Sequence, residues 1–239
     1  MPTSLLQALE LRDTLTAEER EVILGVPSRE SDFQAGQEIV KEDARPTESS
    51  LIISGLAARS KVLAGGGRQF TALHVPGDFV DLHSLLLRKM DHAVVALTPT
   101  RVARVAHSTL RQITVDFPHL ARLLWLTTLV DGAIHREWIL SMGRRQAPAR
   151  LAHLICELFV RLRAVGKVDG WSFPLPLTQT QMGDVLGVSS VHMNRILQEL
   201  RRDGLIKWQG QTLTIKDWER LQSVAEFDAA YLSLGREPR

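Results

Sequence analysis

The segment that decides the fold is residues 178–207, TQTQMGDVLGVSSVHMNRILQELRRDGLIK. Thr178 and Ser189 are residue types that favour the N-cap position, and each precedes a run with the apolar spacing of a helix. Gly187-Val188 lies between the two runs, where glycine favours a tight turn. The segment therefore predicts two short helices joined by a tight turn.

The second of these helices has two faces of different character. Its apolar residues follow the i, i+3, i+4, i+7 spacing of a core-facing stripe, which comprises Met193, Ile196, Leu197 and Leu200. The opposite face carries Val191, Arg195, Gln198 and Arg202, with His192 and Asn194 beside them. Arginine reads guanine bidentately, asparagine reads adenine, and a small apolar side chain contacts the thymine methyl group. This pattern favours a helix-turn-helix that places one polar face in a DNA major groove.

The residues after this segment predict a β-hairpin. Two short β-rich runs, Leu205–Trp208 and Thr212–Ile215, flank the turn Gln209-Gly210-Gln211. A hairpin after a helix-turn-helix is typical of a winged helix. The alternative is a pair of amphipathic helices in any bundle, with their charged residues in water. The caps, the tight turn and the hairpin together favour DNA binding over that alternative.

Length and composition limit the class of protein. The chain has 239 residues, of which 44% are hydrophobic, and this is enough for one large or two ordinary packed domains. No apolar run approaches membrane-spanning length, and the first residues lack the basic region and apolar core of a signal peptide. Cys156 is the single cysteine, so no disulfide, iron–sulfur cluster or thiolate zinc site within one chain is predicted. We expect a cytoplasmic protein in which Cys156 is a small buried residue rather than a redox switch.

The charge of the chain is unevenly distributed. Residues 144–239 carry 14 Lys and Arg against 10 Asp and Glu, a net charge of +4, whereas the remainder is net −2 and the whole chain is +2. A basic C-terminal part favours contact with nucleic-acid phosphates. The alternative is an ordinary solvated surface, which would have a similar balance of charges.

Residues 33–107 have a pattern typical of an all-β fold. Short apolar runs alternate with turn residues, and the runs that predict strands are Ile39-Val40, Leu51–Ile53, Leu56–Ala58, Phe70–Leu73 and Ala93–Leu97. A helical break is expected at about Leu82–Arg88. Regularly spaced short strands predict a sandwich, roll or barrel. Ahead of this region, Thr16 and Glu19 have the capping-box spacing of a helix over residues 16–26.

A long helix is predicted over residues 118–142, beginning at Pro118. Its residues Leu123, Thr127, Val130 and Ile134 alternate in steps of four and three, which is the spacing of a coiled-coil seam. This favours a dimer interface, and the alternative is a helix packed against its own domain. The further predicted elements are a hinge at Gly143-Arg144-Arg145, a helix from Pro148 to about Arg163, a loop or small hairpin at Gly166–Pro176 and a last helix at about Asp217–Leu232.

The order of β-roll, long helix, hinge and winged helix resembles the Crp/Fnr family of bacterial transcription regulators. The resemblance covers about residues 15–215. Its motifs are Gly36, Gly55, Gly67-Arg68-Gln69 and Pro76-Gly77-Asp78-Phe79 in the first part, and Leu177–Ser189, Asn194–Leu200 and Asp203–Ile206 in the second. It implies an α+β fold: a cyclic-nucleotide-binding-like β-roll sensor domain with N-terminal helices (1–117), a dimerisation helix and hinge (118–143), and a winged helix-turn-helix DNA-binding domain with a C-terminal helix (144–239).

The resemblance also implies partners and contact residues. A homodimer would insert one recognition helix into each half of a palindromic operator in double-stranded DNA, and RNA polymerase is implied as a further partner. By position, the base-facing residues are Ser190, Val191 and Arg195, the phosphate-contacting ones are Gln179, Thr180, Ser189, His192 and Gly210, and Asn194 and Gln198 complete the candidate set. Ser190 and Val191 differ from the Arg-Glu pair of the cyclic-AMP receptor protein. The operator should therefore differ from that protein's.

The sensor part lacks the residues that hold cyclic AMP in this family. Leu82 stands where a ribose-holding carboxylate belongs, and His92-Ala93 stands where an arginine and its hydroxyl neighbour hold the phosphate. The N-terminal cysteine cluster of the oxygen-sensing branch is absent as well. We therefore predict no iron–sulfur cluster, and the sequence identifies no other cofactor. A small-molecule effector, if the chain has one, should differ from cyclic AMP.

Three histidines keep an alternative function open. His74, His83 and His92 lie in or near the effector region, where imidazoles can bind haem or a metal. The alternative is thus a haem- or metabolite-sensing regulator that uses the β-roll pocket. Because these residues have no short fixed spacing, surface or hydrogen-bonded histidines are favoured and no metal site is predicted.

The sequence does not predict an enzyme. It has no nucleophile elbow, P-loop, metal-binding helix motif or dinucleotide fingerprint, and Gly65-Gly66-Gly67 is a loop tip without a following helix. A third class, a ligand-binding or dimerisation protein without DNA binding, is disfavoured by Asn194, Arg195 and the wing.

Overall fold

The computed structural model describes residues 3–238, so Met1, Pro2 and Arg239, at the ends of the predicted domains, lie outside the described residues. The described part begins with helices α1 (Thr3–Glu10) and α2 (Ala17–Gly25). Oγ1 of Thr16 accepts a hydrogen bond from the backbone N of Glu19, and the Glu19 carboxylate accepts one from the backbone N of Thr16. The predicted capping box is confirmed.

Two antiparallel sheets within residues 28–106 form the predicted β-roll. The elements are, in chain order, β1 (Ser28–Phe33), β2 (Glu38–Val40), β3 (Glu48–Ser54), β4 (Ala57–Val62), β5 (Arg68–His74), α3 (Ser84–Leu87), β6 (Ala93–Ala96) and β7 (Thr100–Ala106). One sheet has the strand order β1-β7-β3, and the other has the order β2-β6-β4-β5. Helix α3 is the expected helical break. The predicted fold class is confirmed.

The apolar pattern of the sequence does not predict β1 or β7. Strand β1 reads SRESDF and is mostly exposed because it lies at the edge of its sheet. Strand β7 carries arginines among its apolar residues, and Arg101 forms an ion pair at 2.8 Å with Asp32 on β1. The pairing of these two strands therefore depends on partners distant in sequence rather than on a local apolar run.

Gly55 permits the tight connection between β3 and β4. Its φ is +88°, in the region that favours glycine. A Cβ at this position would lie 2.4 Å from the carbonyl oxygen of Pro99 and 2.5 Å from Oγ1 of Thr100. Both requirements explain why glycine stands at this motif position.

Three long or medium helices connect the β-roll to the C-terminal part. They are α4 (His107–Asp116), α5 (Pro118–Arg144) and α6 (Ala147–Ala164). Helix α5 begins with Pro118 in its first turn, as predicted. The break between α5 and α6 lies at Arg145-Gln146, where both residues have extended backbone. The predicted hinge at Gly143-Arg144-Arg145 is thus too early, since Gly143 and Arg144 are still helical.

Most residues of the predicted coiled-coil seam of α5 are covered by the chain itself, as in the alternative of a helix packed against its own domain. Leu123, Val130 and Ile134 are buried within the chain itself. Leu123 packs into a core with α1 and α2, and the other two pack into a core shared with β4, β5 and α6. Apolar side chains of α5 that remain exposed lie elsewhere on the helix, and they are Trp125, Leu129, Ile139, Leu140 and Met142.

The C-terminal part contains the predicted winged helix. Its elements are β8 (Ser172–Pro174), α7 (Gln179–Leu186), α8 (Ser190–Arg202), β9 (Ile206–Gln209), β10 (Thr212–Ile215) and α9 (Trp218–Ala225). The hairpin of β9 and β10 is confirmed, and β8 adds a strand to it from the predicted loop at Gly166–Pro176. The last helix is shorter than predicted. It ends at Ala225 because Glu226 has a φ of 48°, and a 3-10 turn follows at Ala229–Leu232.

Helix α6 is buried along most of its length and carries a charged network. The guanidinium of Arg161 lies 2.6 Å from Oδ2 of Asp78 and 3.0 Å from Oε1 of Glu157. Oε2 of the buried Glu157 accepts hydrogen bonds from Trp138 Nε1 at 3.1 Å and from the Tyr231 hydroxyl at 2.9 Å. Burial disfavours the charged form of Arg161, but the two carboxylates more than offset this, so the pKa of Arg161 is raised. The network ties α6 to the β-roll turn that contains Asp78.

His153, also on α6, should make the fold sensitive to acid. Burial and the charge of Arg145 lower the pKa of His153 to about 4, whereas an unfolded histidine has a pKa of about 6.5. The unfolded state therefore takes up a proton first as the pH falls, and stability that is present above pH ~6.5 is lost progressively toward pH ~4. We expect His153→Phe, which keeps ring contacts with Phe227 and Tyr231, to reduce that loss by up to about 3 kcal/mol at pH ~4.

Urea unfolding of the parent and of His153→Phe at neutral pH and near pH ~4 measures this difference. The free energy of unfolding should fall less steeply with acid in the variant. Parallel declines in the two proteins would contradict the assignment of His153 as a neutral buried group.

Candidate DNA interface

Helices α7 and α8 form the helix-turn-helix, and both begin at the predicted caps. Oγ1 of Thr178 accepts a hydrogen bond from the backbone N of Gln181 at 3.1 Å, and Oε1 of Gln181 accepts one from the backbone N of Thr178 at 2.8 Å. Oγ of Ser189 accepts from the backbone N of His192 at 3.3 Å. Gly187 ends α7 with a φ of 65°. The predicted caps and turn are confirmed.

The two faces of α8 differ as the sequence predicts. The apolar stripe is buried, and it comprises Met193, Ile196, Leu197 and Leu200. The outward face is exposed and comprises Ser190, Val191, Asn194, Arg195, Gln198 and Arg202. Val191 is 81% exposed although it is apolar. Within residues 3–238, the polar side-chain contact of Arg195 is with the His192 ring, Nη2 to Nδ1 at 3.5 Å. This face therefore presents hydrogen-bond donors and an apolar group to solvent.

The other predicted contact residues lie around this face. Gln179 and Thr180 are exposed in the first turn of α7, and Ser189 is exposed at the N-cap of α8. Gly210 is exposed at the tip of the β9–β10 hairpin, on a separate element, with a φ of 57°. His192 is half-buried beside Arg195. Backbone N–H groups at a helix N-terminus favour nearby phosphate, so the starts of α7 and α8 suit contact with a DNA backbone.

Gly183 is a structural residue of this unit that the sequence pattern does not single out. It lies inside α7 and is buried. A Cβ at Gly183 would lie 2.6 Å from the carbonyl oxygen of Val188, and the backbone N of Val188 donates to the carbonyl oxygen of Gly183 at 3.1 Å. The turn therefore folds back directly onto the backbone of α7. The signal in the sequence is a glycine in an otherwise regular helix, five residues before Val188.

The β-roll contacts the helix-turn-helix through the hairpin of β4 and β5. Nε of Arg68 lies 2.8 Å from Oδ2 of Asp184, and Nε2 of Gln69 donates to the carbonyl oxygen of Val185 at 3.0 Å. From the other side, Nε2 of Gln181 donates to the carbonyl oxygen of Leu97 at 3.3 Å. The sequence identifies Gly67-Arg68-Gln69 only as a turn motif that resembles the family. In the structure, Arg68 and Gln69 of this turn contact α7.

A cavity of about 510 Å³ lies between the β-roll and helices α5 and α6. Leu82 and His92 line it, at the positions where cyclic-nucleotide contacts would occur, and Arg59 of β4 also lines it. The sequence places no cation at His92-Ala93, but Arg59 supplies a buried one from another strand. Its Nη1 lies 2.6 Å from Oδ2 of Asp131 and 3.4 Å from Nε2 of His135, both on α5. The charge of Arg59 is thus already paired inside the chain.

The three histidines of this cavity are arranged only in part as expected. His74 and His92 are buried rather than on the surface, and His83 is half-buried. Among the described residues, Nε2 of each one is buried without a hydrogen-bond partner. The rings of His83 and His92 lie 5.2 Å apart, between centroids. The expectation of surface or hydrogen-bonded histidines is met in part, because Nδ1 of His92 lies 2.7 Å from Oδ1 of Asp91, whereas the Nε2 atoms have no such partner.

Cys156 is buried in α6, as predicted for a small core residue, and burial raises the pKa of its thiol. A raised pKa leaves the thiol protonated and unreactive at neutral pH.

No helix within residues 3–238 has both the length and the apolar character needed to cross a membrane.

Two parts of the chain match known families. Residues 30–116 match the cyclic nucleotide-binding domain, and residues 149–224 match the Crp-like helix-turn-helix domain. The chain is 27% identical over 201 residues to the transcriptional activator protein FnrL of Cereibacter sphaeroides, covering 82% of this chain and 80% of that protein. It is 26% identical over 191 residues to a probable transcriptional activator of Rhizobium leguminosarum bv. viciae, covering 80% and 78%.

A solved structure shares the arrangement of both parts. FixK2 from Bradyrhizobium japonicum superposes with a TM-score of 0.76 and 25% sequence identity. The match covers 85% of this chain and 100% of that chain. The likeness therefore extends from the β-roll through the long helix to the winged helix.

The contact between Gly183 and Val188 generates a test of the interface. A glycine-to-alanine change inside a helix normally stabilises it by up to about 1 kcal/mol. Gly183→Ala should instead destabilise the chain, because the new Cβ would push the Val188 carbonyl and the start of α8 away. We expect a lower melting temperature and loss of binding to DNA. Gly143→Ala is the matched control, because a Cβ at Gly143 meets no atom within 4 Å. Equal stability of Gly183→Ala and the parent would contradict the close packing of the turn.

Proposed function

Because this chain belongs to the Crp/Fnr family of transcription regulators, we propose that it acts as a homodimer that binds a palindromic operator in double-stranded DNA. The single observation that carries the proposal is the exposed face of α8. That face lies on a capped helix whose opposite side is buried, and it combines Arg195 with the apolar Val191. An exposed apolar residue beside donors is poorly explained by solvation alone, and it suits a major groove with thymine methyl groups.

In this proposal, base contacts and phosphate contacts come from different elements. Ser190, Val191 and Arg195 of α8 contact base edges, with Asn194 and Gln198 beside them. The phosphate contacts come from Gln179, Thr180, Ser189, His192 and the wing residue Gly210. Phosphate contacts fix the position of the protein on DNA, and base contacts select the sequence.

The proposed dimer interface is the exposed apolar stripe of α5. Trp125, Leu129 and Ile139 are 65%, 53% and 67% exposed in the single chain. Together with Gly132 and Arg136, they alternate in steps of four and three along the helix, as the predicted seam does, but on a face that the chain itself leaves uncovered. A two-fold axis along this stripe would bury it against its own copy and would pair the two recognition helices.

The β-roll cavity is the proposed site of any effector. Leu82 in place of a carboxylate and His92-Ala93 in place of the phosphate-holding pair disfavour cyclic AMP, and Asp131 already neutralises Arg59. The alternative remains a haem- or metabolite-sensing regulator that uses the same cavity. We further propose a cytoplasmic location and RNA polymerase as a partner, as the family implies. The relatives are named as transcriptional activators, which supports a non-enzymatic function.

Replacing Arg195 tests base recognition. Arg195→Ala should lose about 1–3 kcal/mol of discrimination between the operator and a mismatched site per half-site, because a bidentate base contact disappears. Footprinting on the organism's own genomic DNA locates the operator, and fluorescence anisotropy then measures both affinities. Arg111→Ala, which removes an exposed arginine of α4, is the matched control and should leave discrimination unchanged. If the Arg195 variant footprints like its parent, the assignment of α8 as the reading helix is wrong.

Replacing Leu129 tests the dimer interface. Leu129→Glu would place two carboxylates face to face in an apolar seam, which strongly disfavours association. Light scattering should give the 26.7 kDa of one chain for the variant and twice that mass for the parent. Val115→Glu, at a site on α4 that is 72% exposed, is the control and should remain a dimer. A dimeric Leu129→Glu protein would place the interface elsewhere.

A further inference from the structure

His83 and His92 are brought together at one edge of the β-roll cavity, where α3 and β6 meet. His83 lies directly before α3, and His92 lies directly before β6. One candidate ligand atom from each of these two residues and one from Asp91 all lie within 4.8 Å of one another. A small rotation of the half-buried His83 would bring its ligand nitrogen to the separation of about 3–4 Å from that of His92 that bonds of ~2.0–2.2 Å to one ion require.

The hydrogen bonds of His92 identify which of its ring atoms is available. Nδ1 of His92 lies 2.7 Å from Oδ1 of Asp91, a carboxylate oxygen that accepts. In the neutral ring, the proton of His92 therefore lies on Nδ1. Nε2 then carries a lone pair, and it is buried without a donor among the described residues. His92 as a whole is only 7% exposed.

This arrangement is the one that metal-binding histidines adopt in proteins. A carboxylate that accepts a proton from one ring nitrogen orients the imidazole and directs the lone pair of the other nitrogen at the ion. His83 supplies a second buried Nε2 without a partner.

We propose that His83 and His92 bind one divalent transition-metal ion of the Zn²⁺ type in the β-roll cavity, with Asp91 orienting the ring of His92. Nε2 of His83 and Nε2 of His92 are the protein ligands, and Oδ1 of Asp91 accepts from Nδ1 of His92. Water or a small molecule in the cavity completes the coordination. The site goes beyond the proposed DNA-binding function and does not depend on it.

The charges around the site favour a cation over an anion. Arg59 is the nearby buried cation, and its ion pair with Asp131 at 2.6 Å compensates its charge. Lys61, whose Nζ donates to the backbone carbonyl oxygen of Asp91, is paired with Glu42. With both cations paired, the carboxylate of Asp91 leaves the site with a net negative charge. An anionic ligand would also have to approach two ring nitrogens of which one, Nε2 of His92, is a lone-pair acceptor and cannot donate to it.

The test uses the purified full chain after removal of metal with a chelator. Calorimetric titration with Zn²⁺ should show one ion per chain, and Co²⁺ should give visible absorption bands from nitrogen and oxygen coordination. His92→Gln and His83→Gln should each weaken Zn²⁺ binding by at least about 10–100-fold, and Asp91→Asn should weaken it by a similar factor. Because Asp91 is exposed, that variant should fold even if a buried histidine variant does not.

The matched control is His192→Gln, which removes a histidine of α8 far along the sequence from the cavity and should leave the stoichiometry and affinity unchanged. Absence of Zn²⁺ binding to the parent chain would overturn the proposal. Unchanged Zn²⁺ affinity in the folded Asp91→Asn and His92→Gln proteins would also overturn it. A third contrary result would be that His192→Gln loses Zn²⁺ binding while the cavity variants keep it. None of these readouts involves DNA, so failure of the metal site and failure of operator binding are distinguishable.

Discussion

The structure depends on the ion pairs of one mostly buried cation, Arg161, whose side chain is 11% exposed. A charged guanidinium inside the protein must be paired, and removing one partner of such a pair costs about 3–5 kcal/mol. Arg161 therefore fixes α6 against the β-roll turn that carries Asp78, while Glu157 on the same helix gathers Trp138 of α5 and Tyr231 near the C-terminus. This network joins the β-roll, the long helix α5 and the C-terminal part in one arrangement.

Further contacts connect the β-roll to its neighbours. The hairpin of β4 and β5 contacts α7 through Arg68 and Gln69. Arg59 of β4, which lines the cavity, pairs with Asp131 of α5. An apolar core joins β4, β5, α5 and α6 as well, so these polar contacts lie between packed elements.

The sequence predicts what depends on neighbours along the chain. The caps at Thr16, Thr178 and Ser189 and the buried stripe of α8 need only local spacing. The sequence does not predict which face of α5 is buried. Residues spaced in steps of four and three include Val130 on one face and Leu129 on another, and only the fold shows that the face with Val130 is the buried one. Arg68 and Asp184 are 116 residues apart and have no shared pattern. The meeting of His83 with His92 depends on how α3 and β6 are joined, which spacing alone does not determine.

The proposed reading of DNA by a two-fold pair of α8 helices is tested by selection of bound duplexes from a random pool of double-stranded DNA by the purified chain, followed by sequencing. We expect an inverted repeat whose half-site centres lie about 10 base pairs apart, because each recognition helix of a symmetric dimer occupies the major groove one turn from its partner. A pool without enrichment, or an enriched motif without two-fold symmetry, would contradict it.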